Sequence, residues 1–382
     1  MDNVKQLRII LSTLCLLMAS WQVNADIKLE VTNNLPVRRT NEIASFTPSE
    51  PLYANGRVLK NSKGEIVPYQ ITYDGQFIFP VNIEANSKEV FLLSNEENLW
   101  NDTVCYGRVF PERLDDLAWE NDKAAYRAYG PALQATGEKA FGYDIWTKSV
   151  ETPVLEKRYY DALQRKISFH QDHGEGMDVY AVGPTLGGGT TALLNSSDSI
   201  IMPYCWKEAI IKDNGPLRFT AELIYNPIES GGNAIEEHRT ISLDSGEWLN
   251  STDISYQGAD ETQKFVAGIV VHSSNPKGYY LNPENKIVSY IDFTQEPEGD
   301  NGLIFVGMVG PENSSPDFIS DNQHIDSSGH VVLRMNCKAQ PVRYYWGGAW
   351  SKGGMESIEK WNEYLKNFKL RKENPLVVCR IY

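Results

Sequence analysis

Through most of the chain apolar and polar residues alternate over short spans, and the spans have the length of strands. In DIKLEVTN, Ile27, Leu29 and Val31 fall on one side and Lys28, Glu30 and Thr32 on the other. That period of two is the mark of a half-buried strand. GRVLKNSKGEIVPYQITYDGQFIFPVNI holds three more short strands, split at Lys63-Gly64 and Asp74-Gly75, both hairpin signals. KEVFLLS ends this stretch, in which no helical period occurs. Residues 26–100 are therefore read as a small β unit. Beyond it, LAWENDKAAYRAYGP predicts two strands turning at Asn121-Asp122, and KISFHQ predicts another strand. RFTAELIYNPI, RTISLD, KFVAGIVVHSS, NKIVSYIDF, LIFVGMVG, GHVVLRMNC and VRYYWGGAW are all rich in β-branched and aromatic residues. Phe265 to Val271 is apolar on both faces, as strands inside a packed sandwich are. The period changes near the end. Ile358, Trp361, Leu365 and Phe368 recur every three or four residues, cations follow at Lys369, Arg371 and Lys372, and Pro375 stops the run. This predicts a helix from Met355 to about Lys372, then a last strand in PLVVCRIY. The expected fold is mainly β, a large antiparallel β-sandwich over 101–382 with the small unit in front and a C-terminal helix.

The start of the chain reads differently. Lys5 and Arg8 precede an apolar stretch from Ile9 to Trp21, and Val23-Asn24-Ala25 supplies a small residue for cleavage. Residues 1–25 are read as a signal peptide, which predicts a periplasmic or secreted product. No other segment is long and apolar enough for a membrane span. The formal charge of −14 argues against nucleic acid as a partner. Cys105, Cys205, Cys337 and Cys379 form no C-x-x-C pair. That disfavours a zinc knuckle and leaves disulfides and buried thiols both open.

Chemistry concentrates in FHQDHGEGMDVYAVGPTLGGGTTALL. His170, Asp172, His173 and Glu175 lie within six residues of a chain that has 6 histidines. Three readings stay open: a divalent metal held by His170, His173 and Glu175, an acid–base role for one imidazole, or a hydrogen-bonded loop. The glycine run lacks the Gly-Lys-Ser/Thr end of a phosphate loop. It is read as backbone passing close to a ligand or a neighbouring strand. Arg127, Tyr129, Lys139, Tyr143 and Trp146 gather in one stretch, and Arg343, Tyr344, Tyr345, Trp346 and Trp350 in another. Rings beside arginine suit sugar binding, and the alternative is sandwich core. His272, after an apolar strand, is a further acid–base candidate, whereas His238, His324 and His330 read as surface residues. No serine-nucleophile elbow, H-E-x-x-H or dinucleotide fingerprint occurs.

AWENDKAAYRAYGP, GYDIWTK, FHQDHGEGMDVYAVGPTLGGG and RYYWGGAWSKGG, followed by a Trp-bearing helix, resemble the exported bacterial family described as domain of unknown function 4861. The likeness spans nearly the whole chain after residue 25. It implies a galactose-mutarotase-like supersandwich and a place among enzymes degrading pectin or ulvan, with an acidic oligosaccharide as substrate. It further implies a carbon–oxygen lyase, most directly a dehydratase that forms a 4,5-unsaturated residue from a non-reducing-end uronic acid. Such β-elimination needs a base, a group neutralising the carboxylate and an acid for the leaving oxygen, and it requires no cofactor unless a metal does the neutralising. Residue type and motif put His173 or His170, then His272, as base. Arg127 or Arg343 would neutralise the carboxylate, and Tyr180 or Tyr129 would be the acid. Tyr129, Lys139, Tyr143, Arg343, Tyr344 and Trp346 are the expected substrate-binding set. The alternatives are a glycoside hydrolase using a pair such as Glu138 and Glu175, a mutarotase-type epimerase, and a non-catalytic sugar-binding module.

Overall fold

A computed structural model describes residues 26–48, 56–96, 102–293, 300–321, 326–338 and 340–382. The expected signal peptide and His324 lie outside these residues. The protein is mainly β, with antiparallel sheets throughout. In the front unit, strand Ile27–Asn33 lies between Ser87–Ser94 and the last strand, Val377–Ile381. Thus the end of the chain completes the sheet that its start begins. A second sheet pairs Arg39–Phe46 and Gln70–Ile71 with Phe77–Ile83. Leu29, Val31, Phe77, Phe79, Phe91 and Leu93 fill the space between the two sheets, each 2% exposed or less.

The sandwich is built on a nine-stranded sheet. Its long central strands run in the order Trp206–Asn214, Arg218–Tyr225, Asn233–Asp244, Leu249–Gln257, Val342–Trp350, Leu303–Val309 and Ile287–Phe293. A four-stranded sheet carries Lys264–His272 between Gly188–Leu193 and Ser327–Asn336, hence its apolar character on both faces. Another four-stranded sheet holds Tyr106–Phe110, Asp116–Glu120, Ala125–Ala128 and Asp144–Trp146. Trp119, Tyr126, Tyr143 and Trp346 meet in the main core, and Tyr143 stacks on Trp346 with ring centroids 4.0 Å apart.

The glycine run serves strand packing. Gly187 bridges to Tyr143, and a Cβ on Gly189 (φ +136°) would stand 2.7 Å from Trp346. The helix spans Ile358–Glu373 and lays Trp361, Leu365 and Phe368 on Leu249 and Phe305 of the large sheet. Ser357 caps it, its hydroxyl accepting from the Lys360 N–H at 3.3 Å.

Three expectations are corrected. KISFHQ is not a strand. A helix Leu155–Tyr160 runs into a π turn at Asp161–Arg165, and Lys166 breaks it with φ 60°. The Glu120 carboxylate fixes that helix by accepting from the Val154 and Leu155 N–H groups at 2.9 Å. His330 is fully buried in its strand, where its Nε2 accepts from the Leu186 N–H. His238 lies mid-strand between Glu222 and Glu236, not in a surface loop. The four cysteines after residue 25 are free thiols, Cys379 exposed and the others buried.

Candidate functional site

Strand register assembles the first cluster. Arg127 pairs across the ladder with Asp144 on one side and with Ala118 on the other. Asp116, two residues from Ala118, therefore shares the face of Arg127, as Asp144 does. Asp178 arrives from the segment after Gly176, fixed where Trp146 and Asp178 bridge. One guanidinium thus meets three carboxylates. Arg127 bonds to Asp144, lies 3.1 Å from Asp178 Oδ2 and 3.4 Å from Asp116 Oδ2. Asp144 also accepts from Trp146 Nε1 at 2.9 Å, and Asp116 from the Tyr159 hydroxyl at 3.1 Å. All four charged groups are buried.

Three carboxylates around one cation leave an excess of buried negative charge, which is costly unless a proton offsets it. Burial and then the neighbouring Asp144 push the Asp178 carboxyl well above the ordinary range, against the pull of Arg127. Burial also raises Asp116, again opposed by Arg127. Asp116 Oδ1 and Arg127 Nε have no hydrogen-bond partner among the described residues. Two members reach solvent. Tyr129, half-buried, accepts from Arg127 at 3.3 Å and stands 3.5 Å from Asp144 Oδ2. His170, its side chain 54% exposed, bonds through Nδ1 to the Asp178 carbonyl at 2.8 Å and lies 3.7 Å from its carboxylate.

Tyr180 links this cluster to a second. Its buried hydroxyl has no hydrogen-bond partner among the described residues. Burial, then Asp292, Tyr290 and Asp144, raise its pKa well above the ordinary phenol. Its ring lies 6.0 Å from that of His272. His272 bonds to Asp292 at 2.7 Å and to the Ala181 carbonyl at 3.0 Å. Burial alone would lower the imidazole's pKa, but the Asp292 carboxylate more than offsets it and the net direction is upward.

Of the expected catalytic residues, Arg127 and His170 meet at Asp178, and Tyr180 and His272 stand together beside them. His173 does not join. It is exposed on a turn with Nε2 on the Ser168 carbonyl at 3.0 Å. The metal set does not form either. Glu175 faces Lys157 at 3.0 Å, and among the described residues no three His, Cys, Asp or Glu side chains converge as ligands. Of the expected binding residues, Tyr143, Tyr344 and Trp346 are core. Trp346 donates to Thr252 at 2.8 Å, Tyr344 to the Gly189 carbonyl at 2.9 Å, and Tyr143 accepts from Arg239 at 3.1 Å. Lys139 and Glu138 are exposed, and Arg343 lies on the outer face of the large sheet, forked onto Asp253. Sequence reasoning missed Asp116, Asp144, Asp178 and Asp292. Asp178 does carry a signal, as a lone acid in the apolar run Met177-Asp178-Val179-Tyr180.

A large antiparallel β-sandwich with a buried arginine–aspartate cluster between its strands defines the class. The chain belongs to the family described as Domain of unknown function (DUF4861), which matches residues 31–378. It is 25% identical over 374 residues to "Uncharacterized protein P7" of Formosa agariphila, covering 92% of each chain. Among solved structures, a protein in the glycosyl hydrolase family 38 from Enterococcus faecalis is similar with a TM-score of 0.50 and 8% identity. That match covers 94% of this chain and 47% of the other, so this chain spans about half its length. An alpha-mannosidase from Enterococcus faecalis follows with a TM-score of 0.45 and 7% identity, over 94% and 46% of the two chains.

The expected carbon–oxygen lyase is corrected here. A solved structure sharing the fold is of a protein in a glycosyl hydrolase family. Both arginines expected to neutralise a uronate are already committed, Arg127 to three aspartates and Arg343 to Asp253. The first-choice base, His173, stands on a surface turn.

Proposed function

We propose that the protein is a glycoside hydrolase whose acid–base machinery is the aspartate cluster on Arg127. One observation carries this reading: Asp178, a carboxyl that burial and the neighbouring Asp144 push well above the ordinary range, lies beside a second carboxylate on the same guanidinium. Glycoside hydrolysis needs this division of labour, one acid to protonate the leaving oxygen and one carboxylate to act as nucleophile or base. Asp178 is the acid, and His170, bonded to the Asp178 carbonyl, stands on its solvent side. Asp144, which accepts from Arg127, Trp146 and Tyr129, is the partner. Asp144 Oδ2 and Asp178 Oδ2 both reach Arg127 Nη2, so they lie within about 6 Å of each other. That is short of the gap of about 6.5–9.5 Å that an inverting enzyme leaves for water, and favours retention. Support from outside the site is the shared fold with a protein of glycosyl hydrolase family 38. With residues 1–25 read as a signal peptide, the place of action is the periplasm or the exterior.

The test is reducing-sugar release from a panel of oligosaccharides and aryl glycosides, followed by NMR for the anomeric outcome. Asp178→Asn and Asp144→Asn should each lower kcat by about 10²–10⁴-fold at a temperature where circular dichroism shows both variants folded, and the product should keep its configuration. Hydrolysis at the wild-type rate in either variant would overturn the assignment, as would the absence of release from every substrate.

A further inference from the structure

The outer face of the large sheet carries a groove of about 210 Å³ on the side of the sheet away from the aspartate cluster. Register explains its chemistry. Thr220 pairs with Ser242, Ser242 with Ser251, and Ser251 with Tyr345, so one row of hydroxyls crosses four strands. In the next row Thr240 pairs with Asp253, and Asp253 with Arg343. At one end Arg218 pairs with Asp244. Both arginines are forked onto their aspartates, Arg218 at 2.5 and 2.9 Å and Arg343 with its Nε at 2.7 Å from Asp253. The groove has fixed walls. On one side stands the Tyr73–Gln76 turn of the front unit, tied down where the Tyr73 N–H donates to Asp213 at 2.8 Å. On the other is the end of the helix, with Phe368 beside Tyr345 at 4.9 Å between ring centroids.

We propose that this groove is a second carbohydrate-binding site, one that holds a neutral polysaccharide chain apart from the catalytic cluster. The argument is chemical. A solvated sheet face needs polar residues, but it needs no walls and no forked ion pairs. Each arginine–aspartate fork presents donors and acceptors at fixed positions in one place, which vicinal hydroxyls of a sugar satisfy simultaneously. Tyr345 and Tyr73 supply ring surface for the apolar face of a pyranose. The charge balance selects the class. Asp74, Asp244, Glu247 and Asp253 face three cations, Arg218, Arg343 and Lys372. A groove with no surplus of positive charge does not recruit sulfate or carboxylate groups. Neutral, hydroxyl-rich chains are what remain. The site does not depend on the hydrolase reading, because it is read by binding and not by turnover.

The experiment is native gel electrophoresis of the whole protein in gels containing galactomannan, hydroxyethyl cellulose or polygalacturonate. The wild type should be retarded by at least one neutral polymer and not by polygalacturonate. Arg343→Ala, at a half-exposed position, and Thr240→Trp, which fills the groove, should each weaken the apparent Kd at least about tenfold. Asp178→Asn should be retarded like the wild type. No retardation in either neutral gel would overturn the proposal, and so would retardation by polygalacturonate alone. Undiminished retardation of Arg343→Ala and Thr240→Trp would also overturn it. Loss of retardation in Asp178→Asn alone would place the binding in the cluster and refute a separate groove. Sugar release, measured alongside, distinguishes failure of this site from failure of the catalytic one.

Discussion

Asp178 is 2% exposed and shares one guanidinium with two other carboxylates. Its folded pKa lies above the ordinary value of 3.8. The stability this lends is fully present below that value and is lost as pH rises through the folded pKa, where the buried group must ionise. Asp178→Asn keeps the shape and cannot ionise. The difference in thermal midpoint, variant minus wild type, should therefore grow as pH is raised from about 5 to about 9. A flat difference would mean that Asp178 does not change its charge over that range. The comparison with wild type matters because His272, whose folded pKa is also raised, loses its contribution in the same direction. At this scale the sequence singled out Arg127, His170, Tyr180 and His272 by residue type: an arginine among aromatic rings, a histidine among acids, a tyrosine before the glycine run and a histidine at a strand end. It did not show Asp116 and Asp144, since an acid in a strand becomes a partner of Arg127 only once the register is known. Tyr143, Tyr344 and Trp346 were misread for a related reason. A strand covered on both faces gives no sign of which aromatic rings look inward.

The helix Ile358–Glu373 shows how an element can be legible where a residue is not. Its apolar stripe, terminal cations and following proline placed it to within three residues at its start. The cap was not anticipated. Ser357→Ala removes the one side-chain acceptor for the Lys360 N–H, and should lower the unfolding free energy by about 1 kcal/mol. Urea titration checks this, with a loss near zero indicating that water replaces the hydroxyl. The segment around His170 is the opposite case. Its apolar–polar pattern resembled a strand, but tertiary contacts decided. Glu120 anchors the preceding helix, and the Asp172 carboxylate accepts from the Gly174 and Gly176 N–H groups to make a turn. No local pattern encodes a helix start fixed by a carboxylate more than thirty positions away.

For the whole molecule, the alternation of short strands sufficed to predict a large antiparallel sandwich with a small unit in front. It could not show that the last strand belongs to the front unit. Lys28 faces Ile381 and Thr32 faces Val377, so removing residues 377–382 leaves Ile27–Asn33 as a bare sheet edge. The truncated protein should melt at a lower temperature and scatter light increasingly with concentration. A monomer with the wild-type midpoint would show that the strand is dispensable.

That pairing also sets an order of events in time. Until its closing strand docks, the front unit exists without it, and it waits for the folding of everything between. Contacts of such long sequence separation form late, because the loop they close runs from Asn33 to Val377. The front unit is therefore among the last parts to be finished, and until then its open edge is available to any chain that meets it.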